Sequence, residues 1–99
     1  MDGVKDVNVY NKIFEAVEKV PGASNPHRVR SRMIGNRYII TLDIEVNPHI
    51  TITQAHEIAG AVEKSIEDSI DNVYDILVHV EPAGECQTDE KFGVNKGMV

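Results

Sequence analysis

The stretch Tyr38 to Val46 constrains the fold more than any other part of the chain. Tyr38, Ile40, Leu42, Ile44 and Val46 share one parity, while Arg37, Thr41, Asp43 and Glu45 take the other. A period of two held this long predicts a half-buried β-strand, because alternate side chains of an extended chain face opposite sides. Just before it, His27 to Ile34 also alternates, with Val29, Ser31 and Met33 on one side and Arg28, Arg30 and Arg32 on the other. Gly35-Asn36 between the two runs reads as the tight turn of a hairpin.

Helical periodicity flanks this hairpin. Tyr10, Ile13, Phe14, Val17 and Val20 recur every three or four positions, which is the stripe of an amphipathic helix. Asn8 serves as the expected N-cap, and Pro21-Gly22 as the stop. After the Asn47-Pro48 break, Thr51 and Gln54 have the spacing of a capping box, with Ile50 as a hydrophobic staple. The helix that follows carries Ala55, Ile58, Ala59, Val62 and Ile66 on its apolar face. A third strand is expected from Tyr74 to Glu81, with Tyr74, Ile76, Val78 and Val80 inward and Asp75, His79 and Glu81 outward.

The order helix, strand, strand, helix, strand predicts an α+β fold: a two-layer αββαβ domain, two helices on one face of a three-stranded mixed sheet. Residues 1–6 are expected to be an N-terminal extension, 7–82 the domain, and 83–99 a flexible tail.

Composition narrows the partners. The 99 residues carry a formal net charge of -6, whereas nucleic acid and anionic lipid attract basic surfaces. Nucleic acid is therefore not an expected partner, and cations are compatible. The single cysteine, Cys86, excludes an internal disulfide. It falls in the expected tail with no histidine nearby, so thiol catalysis is not expected. No serine sits on a strained glycine elbow and no glycine loop is built to cradle phosphate; the expectation is that this is not an enzyme. No apolar run approaches a membrane span and no signal-peptide pattern precedes the first polar residues, so a soluble piece is expected.

What remains is histidine and carboxylate at strand edges and element ends. His27 opens the first strand, Asp43 lies on the polar face of the second, and His56 sits in the first turns of the second helix, one position off its stripe. His79 and Glu81 are two residues apart on one face of the third strand, so both reach the same region. Imidazole with carboxylate suits zinc and its first-row neighbours. Ordinary structural accounts stand beside this. A lone strand histidine is more often a surface or hydrogen-bonded residue than a ligand, and Asp43, Glu45, Asp75 and Glu81 have three arginines available as cross-strand partners at about 0.2–1 kcal/mol a pair. His49, beside the Asn47-Pro48 turn, reads as a surface residue.

The segments His27-Arg-Val-Arg-Ser-Arg32, Leu42-Asp-Ile-Glu-Val-Asn-Pro48, Gln54-Ala-His-Glu-Ile-Ala59 and Val78-His-Val-Glu-Pro82, in this order and preceded by Val20-Pro-Gly22, resemble the C-terminal cytosolic domain of the cation diffusion facilitators, the zinc-transporter-type efflux proteins. The resemblance covers about Val7 to Pro82. It implies a metallochaperone-like domain that forms a homodimer beneath a membrane-embedded transporter domain of the same full-length chain, at the cytoplasmic face of the membrane. It also implies divalent metal at the dimer interface. By position, the implied ligands are His27, Asp43, His56 (reaching over from the other subunit), His79 and Glu81. Asp43 stands where a histidine is found in the family, which makes the set richer in oxygen and shifts preference from zinc toward manganese or iron; cobalt and cadmium are further candidates.

By strict alternation His27 falls on the Val29 side, which faces the core. It is therefore expected to join Asp43 and His79 only from a loop before the strand. The function expected is a regulatory, metal-binding dimerisation domain of a divalent-cation efflux transporter, most simply for zinc. The alternatives are a purely structural dimerisation module without metal and a free-standing metallochaperone.

Overall fold

Which face of the sheet is left open decides where any site can lie, and the topology settles it. The computed structural model describes residues 2–84, with side chains from Asn8 onward. Its elements are α1 (Asp2–Glu18), β1 (Ser24–Ile34), β2 (Arg37–Val46), α2 (Ile52–Ser69) and β3 (Val73–Pro82). The sheet order is β1-β2-β3, with β1 antiparallel and β3 parallel to the central β2. A parallel neighbour requires a crossover, which α2 supplies. The expected αββαβ arrangement with a mixed sheet is thus the observed one.

The predicted inward parity of β2 holds: Ile40, Leu42, Ile44 and Val46 are buried against Ile13, Ala16 and Val17 of α1 and Val62 and Ile66 of α2. Fully burying a side chain of this size contributes about 1.5–3 kcal/mol. Exposed ion pairs contribute about 0–1 kcal/mol each, so the helix–sheet layer carries the stability and the opposite face is free to hold charge. The Ser65 hydroxyl ties the helices together by donating to the Ala16 carbonyl at 2.8 Å. Thr51 caps α2 with the full reciprocal capping box to Gln54, and Ile50 packs against the core as expected.

Several expectations are corrected. α1 does not start after Asn8; it begins at Asp2 and runs through Asn8, whose presence inside a helix costs only about 0.7 kcal/mol. β1 begins at Ser24 rather than at His27. Met33, on the parity assigned to the core, is 50 % exposed, because residues 32–37 form an exposed hairpin tip. Tyr74 is 60 % exposed rather than inward: it is a surplus residue between the pairs Tyr38↔Val73 and Ile39↔Asp75. β2 was expected to be half buried, yet Asp43 and Glu45 on its polar face are also buried. As the central strand it has neighbours on both edges, and their side chains cover it.

Gly22 closes the α1–β1 connection at φ +94°. A Cβ there would lie 2.8 Å from Cδ1 of Ile58, so both backbone and space require glycine. Of the tail expected over residues 83–99, Ala83 and Gly84 form a turn after β3, and residues 85–99, including Cys86, lie outside the described residues.

Candidate metal centre

The open face of the sheet gathers four of the five expected ligands at one end. Parallel pairing sets Asp43 opposite His79 and Glu45 opposite Glu81. Antiparallel pairing sets His27 opposite Asp43. Residues directly opposite one another share a face, so one row of cross-strand neighbours joins β1, β2 and β3.

His27 reaches this row from within the strand, not from a preceding loop. Between His27↔Asp43 and Arg30↔Thr41 the first strand has one more residue than the second. This is a β-bulge, and it resets the alternation. Arg28 carries the distortion at φ +50°, a conformation that costs a residue with a side chain about 1–2 kcal/mol. A second bulge lies between Ser24 and His27, with Asn25 at φ +46°. Val29 therefore packs toward the core while His27 faces outward with Asp43.

The distances define the cluster. His27 Nε2 lies 3.1 Å from Glu81 Oε1 and 3.9 Å from Asp43 Oδ2. His79 Nδ1 is 3.4 Å from Asp43 Oδ1, and Arg28 Nε is 3.4 Å from Asp43 Oδ2. His27 Nδ1 donates to the Asn25 carbonyl at 2.7 Å. That hydrogen bond, with the negative charges of Glu81 and Asp43, raises the His27 pKa above its ordinary value against the opposing effect of partial burial.

The same contact tests the fit to a metal. Without metal both ring nitrogens face acceptors, Nδ1–H donating to the Asn25 carbonyl and Nε2–H to Glu81. An ion that displaces the Nε2 proton would meet a ring already held through Nδ1–H, the arrangement found behind metal-bound histidines. Tetrahedral ligands at about 2.1 Å from a first-row ion stand about 3.4 Å apart, comparable to the separations observed. The residues fit a divalent ion.

His56 is exposed on α2 and has no ion pair or hydrogen bond among the described residues; one chain does not bring it to the cluster. His49 is exposed, as expected, its backbone N–H donating to the Asn47 side chain. Glu45 is the residue that sequence reading passed over. Among the described residues, the set of donors whose ligand atoms all lie within 4.8 Å of one another is His27, Glu45 and Glu81. The signal is present in the sequence once β2 and β3 are known to be parallel neighbours: matching Asp43 to His79 also matches Glu45 to Glu81.

Comparison with known proteins agrees with this fold. The family described as "Cation efflux protein, cytoplasmic domain" matches residues 6–83. The chain belongs to this family, the cytoplasmic domains of the cation diffusion facilitators. This efflux-protein domain is similar to the metal-bound C-terminal domain of the CzcD transporter from Thermotoga maritima, with a TM-score of 0.78 and 37% identity, covering 82% of this chain and 94% of that one. It is 35% identical over 81 residues to the magnetosome protein MamM of Magnetospirillum gryphiswaldense, covering 82% of this chain and 26% of MamM. It is 30% identical over 81 residues to the manganese efflux system protein MneS of Bacillus subtilis, covering 80% of this chain and 26% of MneS. The chain therefore spans about a quarter of the length of these two relatives. Among the described residues no helix is long and apolar enough to cross a membrane.

Proposed function

We propose that this domain is the metal-responsive dimerisation element of a divalent-cation efflux transporter, at the cytoplasmic side of a membrane-embedded part of the same full-length protein. The observation that carries this reading is the poise of His27: its Nδ1 is held by the Asn25 carbonyl and its Nε2 faces Glu81 and Asp43. His79 extends the cluster along the edge of the sheet, and His56 of a second copy would complete it. The ion, zinc in the first instance, would neutralise the crowded carboxylates and draw two domains together, biasing the attached transporter toward one of its conformations. The metal-bound state of the CzcD domain supports the reading by family likeness.

A regulatory ion binds near micromolar strength, about 8 kcal/mol, below the roughly 10–16 kcal/mol of structural zinc. The apo domain is accordingly expected to be folded. Calorimetric zinc titration of the chelator-treated domain, alongside His79→Ala, tests this: micromolar or tighter binding weakened in the variant is the expected result. A second reading, a structural dimerisation module without metal, draws on the Arg28–Asp43 and His27–Glu81 pairs that close the cluster with protein groups alone. A dimer of unchanged size with and without chelator, and no heat on titration, would favour it.

A further inference from the structure

The position of Glu45 gives it a use that the ligand set implied by family resemblance leaves out. It is buried, with 8 % of its surface exposed, and it stands directly opposite Glu81 in the parallel register. Like charges facing each other across a ladder oppose folding, and a buried carboxylate adds a desolvation cost. Nothing in the helix–sheet core requires an acid at this position, since the inward parity of β2 is wholly apolar. A divalent cation between the two carboxylates turns the repulsion into attraction.

The surroundings of Glu45 are built to hold it. Asn25 Nδ2 donates to Glu45 Oε2 at 2.9 Å, and Ser24 Oγ donates to the Glu45 carbonyl at 3.1 Å. Both come from the bulged start of β1, so the distortion that turns His27 outward also fixes the Glu45 carboxylate. A carboxylate accepting one hydrogen bond retains lone pairs for an ion. His27, from the same stretch of β1, has its ligand atom within 4.8 Å of those of Glu45 and Glu81, its ring already held through Nδ1.

We infer that Glu45 is a metal ligand, and that His27, Glu45 and Glu81 form a one-nitrogen, two-oxygen site complete within one chain. The inference rests on the metal-binding reading above, but it assigns a different donor and a different consequence. With oxygen donors in the majority the site favours harder divalent ions such as Mn2+ over zinc, relative to a histidine-dominated set. Because it takes nothing from a second copy, it fills whether or not the domain is dimeric. Asp43 and His79, joined at 3.4 Å, remain for an ion shared between copies.

The test is Mn2+ titration of the full 99-residue chain, followed by calorimetry and by the electron paramagnetic resonance of free Mn2+, for the unmodified protein, Glu45→Gln and His79→Ala. The expected result is that His79→Ala keeps one equivalent of Mn2+ while Glu45→Gln loses at least tenfold in affinity. Retention of full Mn2+ affinity in Glu45→Gln together with its loss in His79→Ala would overturn this inference and leave the metal-binding reading intact. No binding of Mn2+ or Zn2+ by the unmodified protein would remove both. Should Glu45→Gln fold poorly, substoichiometric Mn2+ added to the unmodified protein gives an independent readout. Paramagnetic broadening centred on the side-chain resonances of His27, Glu45 and Glu81 supports the assignment, and broadening centred on Asp43 and His79 without Glu45 contradicts it.

Discussion

His27 stands directly across the β1–β2 ladder from Asp43, and the residue that puts it there is Arg28. The surplus residue in β1 switches the alternation, so that His27 and Val29, two positions apart, face opposite sides of the sheet. Without it, the imidazole would point at the helices and the cluster would lose its only ring held on both nitrogens.

Deleting Arg28 isolates that effect. The bulge costs about 1–2 kcal/mol through its left-handed backbone, and the exposed Arg28 side chain returns about 0–1 kcal/mol through Asp43. These partly offset, so the deletion is expected to change the stability of the apo domain by no more than about 2 kcal/mol. Ion affinity is expected to fall at least tenfold, because His27 no longer shares a face with Asp43 and Glu81. Calorimetry and chemical denaturation on the same samples separate the two quantities.

The raised pKa of His27 fixes the sign of a pH dependence. A group that binds its proton more tightly when folded stabilises the fold below its unfolded pKa, about 6.5. That contribution is lost as pH rises through the folded value. Replacing His27 with alanine is therefore expected to destabilise the apo domain more at pH 6 than at pH 8.5. Metal binding runs the opposite way, since the ion competes with the proton for Nε2; affinity should rise across the same window. Denaturation curves of the two proteins that differ equally at both pH values would contradict the assignment.

At Gly22 the constraint is steric. Alanine there must adopt φ +94° and place its methyl group 2.8 Å from Ile58 Cδ1. The left-handed backbone alone costs about 1–2 kcal/mol, and the Ile58 side chain can shift only by giving up contact with the core. Gly22→Ala is expected to lower stability by at least that amount in urea denaturation, with ion affinity little changed because the cluster lies on the other face of the sheet.

Much of this architecture is legible in the sequence, for a physical reason: alternate burial along Ile40, Leu42, Ile44 and Val46, and the 3.6-residue stripe through Ile13, Val17, Val62 and Ile66, are direct consequences of backbone geometry. Thr51 and Gln54 are legible because the cap is local. The bulges at Asn25, Arg28 and Tyr74 are not, since one surplus residue leaves no mark in a hydrophobic pattern except a change of parity. Glu45 was hidden for a different reason. Its partner Glu81 is set by the parallel register of β2 and β3, a relation across 36 positions that neither strand encodes alone. Asp43, His79 and Glu81 are legible as candidates from the polar faces of their strands, family likeness implies their role as ligands, and the register explains why they meet.

His56 gives the sharpest separation between one chain and two. It is exposed on α2 and, among the described residues, has no ion pair with the cluster that holds His27 and His79. If His56 of a second copy completes the site as proposed, its effect on ion binding depends on protein concentration. His56→Ala is expected to bind like the parent at concentrations where the domain is monomeric, and several-fold more weakly where the parent dimerises. Sedimentation with and without metal supplies the second half of the test: the ion should strengthen dimerisation of the parent more than that of the variant, because linkage requires any ligand contributed by the partner to favour both events equally. Equal dimer strengthening in the two proteins would confine the ion to the ligands of a single chain.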